Sequence, residues 1–354
     1  MVKYPNMKKK VISFYQKYEN HISSAMLVGG FFLDNFTLRS LDIWWDKFIL
    51  IVYLLIAGTS IVCVNLYDGG KMKTVFLERA RPWFMFAMQF VLGGCFSASF
   101  VFYSRSATFS ASWPFLLVIL AYLLGNEFFK KHYIRFSAQI GVYFMAIFSF
   151  CILLTPVLLK KIGDWVFVLS GIISLILISL FIFLLHFVTM QEIKKSKKTL
   201  IFIIGGIFIT INILYFTNMI PPAPLSLKEI GLYTSVTKNK DGTYTLLGGQ
   251  AKSFTSFFNS TEFFHLKQGE PAYLLTSIYS PAKLDTKVLH VWYNYNEGTK
   301  KWVEVGHIEL AIFGGRGDGY RTYSIREAIF PGRWRVDIET ESGQLIGRKD
   351  FWVE

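Results

Sequence analysis

The chain has 354 residues, among them 35 Phe, with a charged fraction of 17% and a mean hydropathy of +0.39. These values argue against an ordinary soluble protein and point to a polytopic membrane protein. The formal net charge of +13 suggests nucleic acid, but its distribution excludes that partner. Residues 1–220 carry 21 Lys/Arg against 9 Asp/Glu, and residues 221–354 carry 16 against 15. The excess lies in short segments between apolar runs, which is how a membrane protein encodes its orientation.

Residues 1–19 form a basic tail. No signal peptide is expected, because Lys8, Lys9 and Lys10 are followed by the mixed stretch VISFYQKYEN and not by an apolar core. Six runs are long enough to cross a bilayer as helices: 48–67, 82–103, 111–126, 137–159, 165–189 and 199–219. Trp44, Trp45, Trp83, Trp113 and Trp165 stand at their borders, as interfacial aromatic residues do. The connecting segments 68–81, 127–136 and 190–198 are rich in Lys and Arg, whereas 104–110 and 160–164 are poor, so the rich ones are expected in the cytoplasm.

Six spans alone would carry Lys3, Lys8, Lys9, Lys10 and Lys17 to the outer side. If residues 20–37 also cross, the tail stays inside and only Arg39 and Lys47 face outward from this region. A seven-span helical domain over 20–219 is therefore expected. Its weak point is the short apolar core Ala25–Leu33, which leaves an interfacial or re-entrant segment as the alternative. Gly29-Gly30, Gly93-Gly94 with Ala98, and Gly205-Gly206 are expected to allow close helix packing. Cys63, Cys95 and Cys151 all lie in apolar runs, so no disulfide is expected in the C-terminal half.

A Pro-rich linker, 220–227, follows the last span. Residues 228–354 read as about eight short strands separated by turns such as Asp241-Gly242, Asn296-Glu297-Gly298 and Ser342-Gly343, which predicts an immunoglobulin-like sandwich. In RWRVDIE, Trp334, Val336 and Ile338 share one face, and Arg333, Arg335, Asp337 and Glu339 share the other. A phase shift across Gly306-His307 predicts a bulge.

Four pieces in order carry a family resemblance: His290-Val-Trp292, Arg321-Thr-Tyr-Ser324, Gly332-Arg-Trp-Arg-Val336 and the closing GQLIGRKDFWV. Together they resemble the bacterial domain of unknown function 2914, over about the last 90–130 residues. The resemblance implies a small extracytoplasmic β module in a bacterial inner-membrane protein, following several spans. It implies no activity.

His290 and Trp292 alternate onto one strand face and, with Arg321 and Arg335, are candidates for an aromatic-cationic patch that would bind a glycan or an acidic peptide. The competing placement, favoured for Trp292 and Trp334, is a tryptophan core with a hydrogen-bonded histidine. Arg321 needs a carboxylate or carbonyl partner. Asp34, Asp42, Asp46, Arg105 and Asp164 map near the outer surface in the seven-span arrangement, where they would bind a cation or a polar head group, dock the β module, or simply sit in water. His265, His290 and His307 lack metal-ligand spacing, so no metal and no cofactor are expected. In the spans, His186 and Asn212 are the deep polar residues.

The expected function is non-enzymatic: a bacterial inner-membrane protein that presents a periplasmic module to an envelope component, whether protein, glycan or lipid head group. One alternative is a membrane enzyme acting on a lipid-linked substrate through the outer carboxylates. A transporter ranks third, since no repeat and no polar path is visible.

Overall fold

A computed structural model describes residues 44–354, apart from 70–73, 107, 129–135, 241–242, 250–261, 268, 282–283, 285 and 316–317. The tail, the segment 20–37 and the residues Asp34 and Asp42 lie outside the described residues. The described residues form five α-helices followed by a β-rich region. The helices are α1 (Trp44–Asp68), α2 (Val75–Ser106), α3 (Phe109–Phe128), α4 (Phe136–Leu159) and α5 (Asp164–Phe216). Four of them, α1, α2, α4 and α5, are long and apolar enough to cross a membrane, and α3 contributes the shorter apolar stretch Ala111–Gly125. Helix is the form that closes every backbone hydrogen bond within such runs.

Helix α5 has 53 residues and would reach about 80 Å if straight. Instead, the Phe167 and Tyr215 rings near its two ends stack with centroids 3.6 Å apart. The chain therefore turns back, and it does so at Thr189, whose φ of −137° and ψ of 59° are non-helical. The segment 190–198, expected as a loop, is helical. Its residues MQEIKKSKK include no Gly or Pro to interrupt a helix.

The residues cluster into two compact units. The first holds helix segments up to Val101, Leu117–Cys151 and Ile172–Ile209. Here Gly94 lets α1 approach α2 closely, since a Cβ on it would lie 2.6 Å from the Tyr53 ring. Gly141 does the same where α4 meets Ile203 of α5, but Gly205 and Gly206 face open space and so do not serve the packing role expected of them. The amide of Asn65 donates to the Gln139 side chain at 2.8 Å, a buried polar tie between α1 and α4.

The second unit holds Phe102–Leu116, Ile152–Gly171 and Thr210–Glu354, that is, helix ends together with every described strand. Helix α5 stops in a hydrogen-bonded cap: Asn218 takes a φ of 57°, its N–H donates to the Tyr215 carbonyl, and the Met219 N–H donates to Leu214. The Pro-rich segment that follows is no solvated spacer. Ile220 to Ser226 are all buried, and Leu225 belongs to the β-module core.

The strands are β1 (Ser226–Tyr233), β2 (Ser235–Lys238), β3 (Tyr244–Leu247), β4 (Glu262–Phe264), β5 (Ala272–Tyr279), β6 (Thr286–Asn296), β7 (Lys301–Ile312), β8 (Tyr320–Arg326), β9 (Gly332–Thr340) and β10 (Leu345–Val353). One sheet runs β1-β5-β8, a second runs β4-β10-β9-β6-β7, and β2-β3 form a hairpin. Leu232, Leu274 and Ile278 from the first sheet share a buried core with Val288, Trp292, Trp334, Val336 and Phe351 from the second. The predicted bulge is present: Trp292 faces Gly306 while Tyr293 faces Glu304, leaving Val305 as the extra residue on β7.

Candidate functional site

His290 and Trp292 face inward from β6 and are fully buried. The His290 ring bridges the sheets, with Nδ1 2.9 Å from Ser324 Oγ on β8 and Nε2 3.1 Å from Thr276 Oγ1 on β5. The hydrogen-bond roles follow from the partners that have no choice. Trp292 Nε1–H only donates, and its acceptor is Ser324 Oγ at 3.3 Å. The Thr322 carbonyl only accepts, and Thr276 Oγ1 donates to it at 3.5 Å. Ser324 thus donates to Nδ1, and Nε2–H donates to Thr276. A neutral imidazole satisfies every group in this chain, and burial pushes the His290 pKa down to about 3. The core placement weighed for Trp292 and Trp334 is the one the structure adopts, and neither His290 nor Trp292 is available to a ligand at the surface.

The two arginines of the candidate patch are on opposite outer faces. Ser324 points inward from β8, so Arg321, three residues earlier, points out of the three-stranded sheet, half-exposed and 3.7 Å from Glu229 Oε2 on β1. That carboxylate is the partner its position required. Arg335 points out of the five-stranded sheet. The four candidates therefore do not form one surface.

A different cluster forms on the outer face of the five-stranded sheet. Trp334, Val336 and Ile338 go into the core, which turns Arg333 and Arg335 outward. The β6–β7 hairpin pairs Tyr295 with Trp302 on this same face, ring centroids 5.2 Å apart. Arg335 lies 4.2 Å from the Trp302 centroid and donates from Nε to Asp350 Oδ1 at 2.7 Å. Arg333 lies 5.2 Å from Trp302 and 5.5 Å from Tyr295. Beside them, Arg348 forks onto Asp337 with two 2.6 Å bonds, and these bonds hold the guanidinium above its usual pKa. Burial, and then the Asp337 charge, raise the Glu339 carboxyl.

The cross-strand match of Tyr295 and Trp302 was legible in principle, because the turn after Asn296 fixes their register. It was missed because alternation was read strand by strand and not across the hairpin.

Of the outer-face cluster, Asp46 falls within α1 and Arg105 in the last turn of α2, where a cation meets the negative helix end. Asp164 opens α5, and its Oδ1 accepts the Tyr215 hydroxyl at 3.0 Å. The Ser342 side chain in the β9–β10 turn lies beside that hydroxyl, and Ser342 Oγ is 3.0 Å from Thr340 Oγ1. Ile162, just before α5, packs against the β-module core. Among the described residues, no three His, Cys, Asp or Glu side chains gather as a metal site.

Residues 285–353, which contain β6 to β10, match the family described as Protein of unknown function (DUF2914). No curated protein matches the chain. Among solved structures, it aligns with the Pseudomonas fluorescens alkylpurine DNA glycosylase AlkC bound to DNA containing an abasic site analog, at 11% identity over 87% of this chain and 98% of that one. The TM-score of 0.23 is too low to indicate a shared fold, and nothing of that enzyme carries over.

Proposed function

We propose that the chain is a bacterial inner-membrane protein with seven spans, a cytoplasmic N-terminus and an immunoglobulin-like module fixed on the periplasmic side, where the module binds an envelope component without catalysis. The observation that carries this is the joint. Ile162 seats on the module core, and the Tyr215 hydroxyl, bonded to Asp164 at the start of α5, lies beside Ser342 of the module. The helix ends and the module thus pack as parts of one compact unit, with no solvated linker between them.

The turn at Thr189 supports counting α5 as two crossings, which with α1 to α4 and residues 20–37 makes seven. The Lys and Arg distribution supports the outward placement of the module. The strand order supports an immunoglobulin type. With β1, β5 and β8 as strands A, B and E, the second sheet reads G, F, C and C′ through β10, β9, β6 and β7. The buried Trp292 then occupies strand C, as the conserved tryptophan of such domains does, and β4 adds a short parallel strand beside β10.

A photo-crosslinking residue placed at Tyr293 in living cells tests the role, with Lys195 as the cytoplasmic control. Adducts with an envelope component at position 293 alone are expected. Adducts only from position 195, or none at 293, would sink the proposal.

A further inference from the structure

We propose that the outer face of the five-stranded sheet binds an acidic glycan, a saccharide chain with sparse carboxylates, and that Arg333 is the residue that takes its anionic group. This names the ligand class for the binding role above and rests on that reading.

Three arginines stand on this face. Arg335 is neutralised by Asp350 and Arg348 by Asp337. Arg333 has no carboxylate within ion-pair distance among the described residues, and its buried Nε has no hydrogen-bond partner. It is held over Trp302 and Tyr295 by cation–π contact. A planar donor already ordered by stacking loses little freedom when an oxyanion arrives, which is the condition for a preorganised anion site.

The surrounding charges decide which anion fits. With Asp337 and Asp350 already paired, Glu339 and Glu304 remain on the face outside those arginine pairs, so a densely anionic ligand such as an acidic peptide or a polyphosphate meets repulsion. Sugar hydroxyls donate to those carboxylates and accept from the guanidinium groups, and the half-buried rings of Tyr295 and Trp302 offer apolar edges to sugar C–H groups. A saccharide with one carboxylate every few sugar units meets all three conditions. The strands that build the face, β6, β7, β9 and β10, lie within the family-matched segment.

The test uses the full chain in nanodiscs and a fluorescently labelled hyaluronan hexasaccharide, read by anisotropy. Saturable binding is expected, weakened about tenfold or more by Arg333→Gln and by chemical reduction of the sugar carboxyls. Arg321→Gln, on the opposite sheet, is expected to leave it unchanged. Thermal unfolding of each variant separates lost binding from lost fold. Equal binding by Arg333→Gln, equal binding of the carboxyl-reduced sugar, or equal competition by hexa-aspartate overturns the inference. So does failure of the wild-type chain to bind the sugar. In each of these cases, envelope adducts at position 293 would still leave the broader role standing.

Discussion

The Tyr215 hydroxyl donates to the Asp164 carboxylate at 3.0 Å across 51 residues, beside Ser342 of the β module. One side chain thus closes the two ends of α5 against each other next to the module. Tyr215→Phe keeps the stack on Phe167 and removes the hydrogen bond to Asp164. A loss of about 1 kcal/mol is expected, which lowers Tm by about 2–4 °C. Tyr215→Ala, which also loses the stacked ring, should cost more. Calorimetry of the full chain in detergent checks both, and an unchanged Tm in the Phe variant would show that water replaces the hydroxyl's partner at no cost.

His290 makes the module acid-sensitive. Its pKa is lowered to about 3 in the folded state, so between the unfolded value near 6.5 and about 3 the unfolded chain holds more protons than the folded one. Stability is therefore full above about pH 6.5 and falls as the pH drops through this window, by at most about 1.4 kcal/mol per pH unit from this group. Glu339, whose pKa is raised in the folded state, contributes with the opposite sign as the pH rises from its unfolded value. Comparing wild type with His290→Gln cancels that second contribution. The variant should be less stable at pH 7 but show a flatter slope between pH 6.5 and 4 in urea unfolding. Parallel slopes would mean that the imidazole is not kept neutral.

The parts of the fold that were legible in the sequence are those set by local periodicity. The alternation in RWRVDIE placed Trp334, Val336 and Ile338 inside, and the phase slip near Gly306 located the bulge to within a residue or two. What escaped depends on contacts between segments distant in sequence. The reversal between the runs 165–189 and 199–219 was legible, but not that it takes the single residue Thr189 while the charged segment 190–198 stays helical. Strand β4 is three residues long and exists through parallel pairing with β10, a partner about ninety residues away that no local pattern reveals. Asp164 was marked as an outer-face acid, but its partner Tyr215 comes from the other end of the same helix. Arg333 was assigned to the correct face, yet its significance emerges only once Trp302 and Tyr295 are brought beneath it across the hairpin.

Gly314 illustrates a glycine needed for space. A Cβ there would fall on the backbone carbonyl of Pro281 and within 3.0 Å of that of Leu284. Neither carbonyl can swing aside as a side-chain tip can, so Gly314→Ala must displace the β7–β8 connection. A cost of about 2 kcal/mol or more is expected, seen as a lower urea midpoint with an unchanged slope. By contrast, Gly205→Ala points into open space and replaces glycine inside a helix, so it should be neutral or slightly stabilising. Equal effects of the two substitutions would show that the Pro281 carbonyl yields.

The number of crossings rests on the stretch HISSAMLVGGFFLDNFTLRSLD, where charge parity and apolar length pull in opposite directions. Crossing keeps five lysines of the tail inside, yet the uninterrupted apolar core is only nine residues, Ala25–Leu33. A helix with so short a core can span by thinning the bilayer and letting flanking polar groups reach the interface, at a cost of fractions of a kcal/mol per Å of mismatch (on the order of several kcal/mol at most). Moving the five lysines across the membrane against the positive-inside preference is the larger penalty, so a crossing is expected. Single cysteines at Ser23, Arg39 and Ser104, in a background without Cys63, Cys95 and Cys151, report this in intact cells with the outer membrane permeabilised. An impermeant maleimide should label the sites at 39 and 104 but not 23. Residues 39 and 104 are two crossings apart and face the same side, so labelling at 23 together with both of them would put the tail outside with six spans.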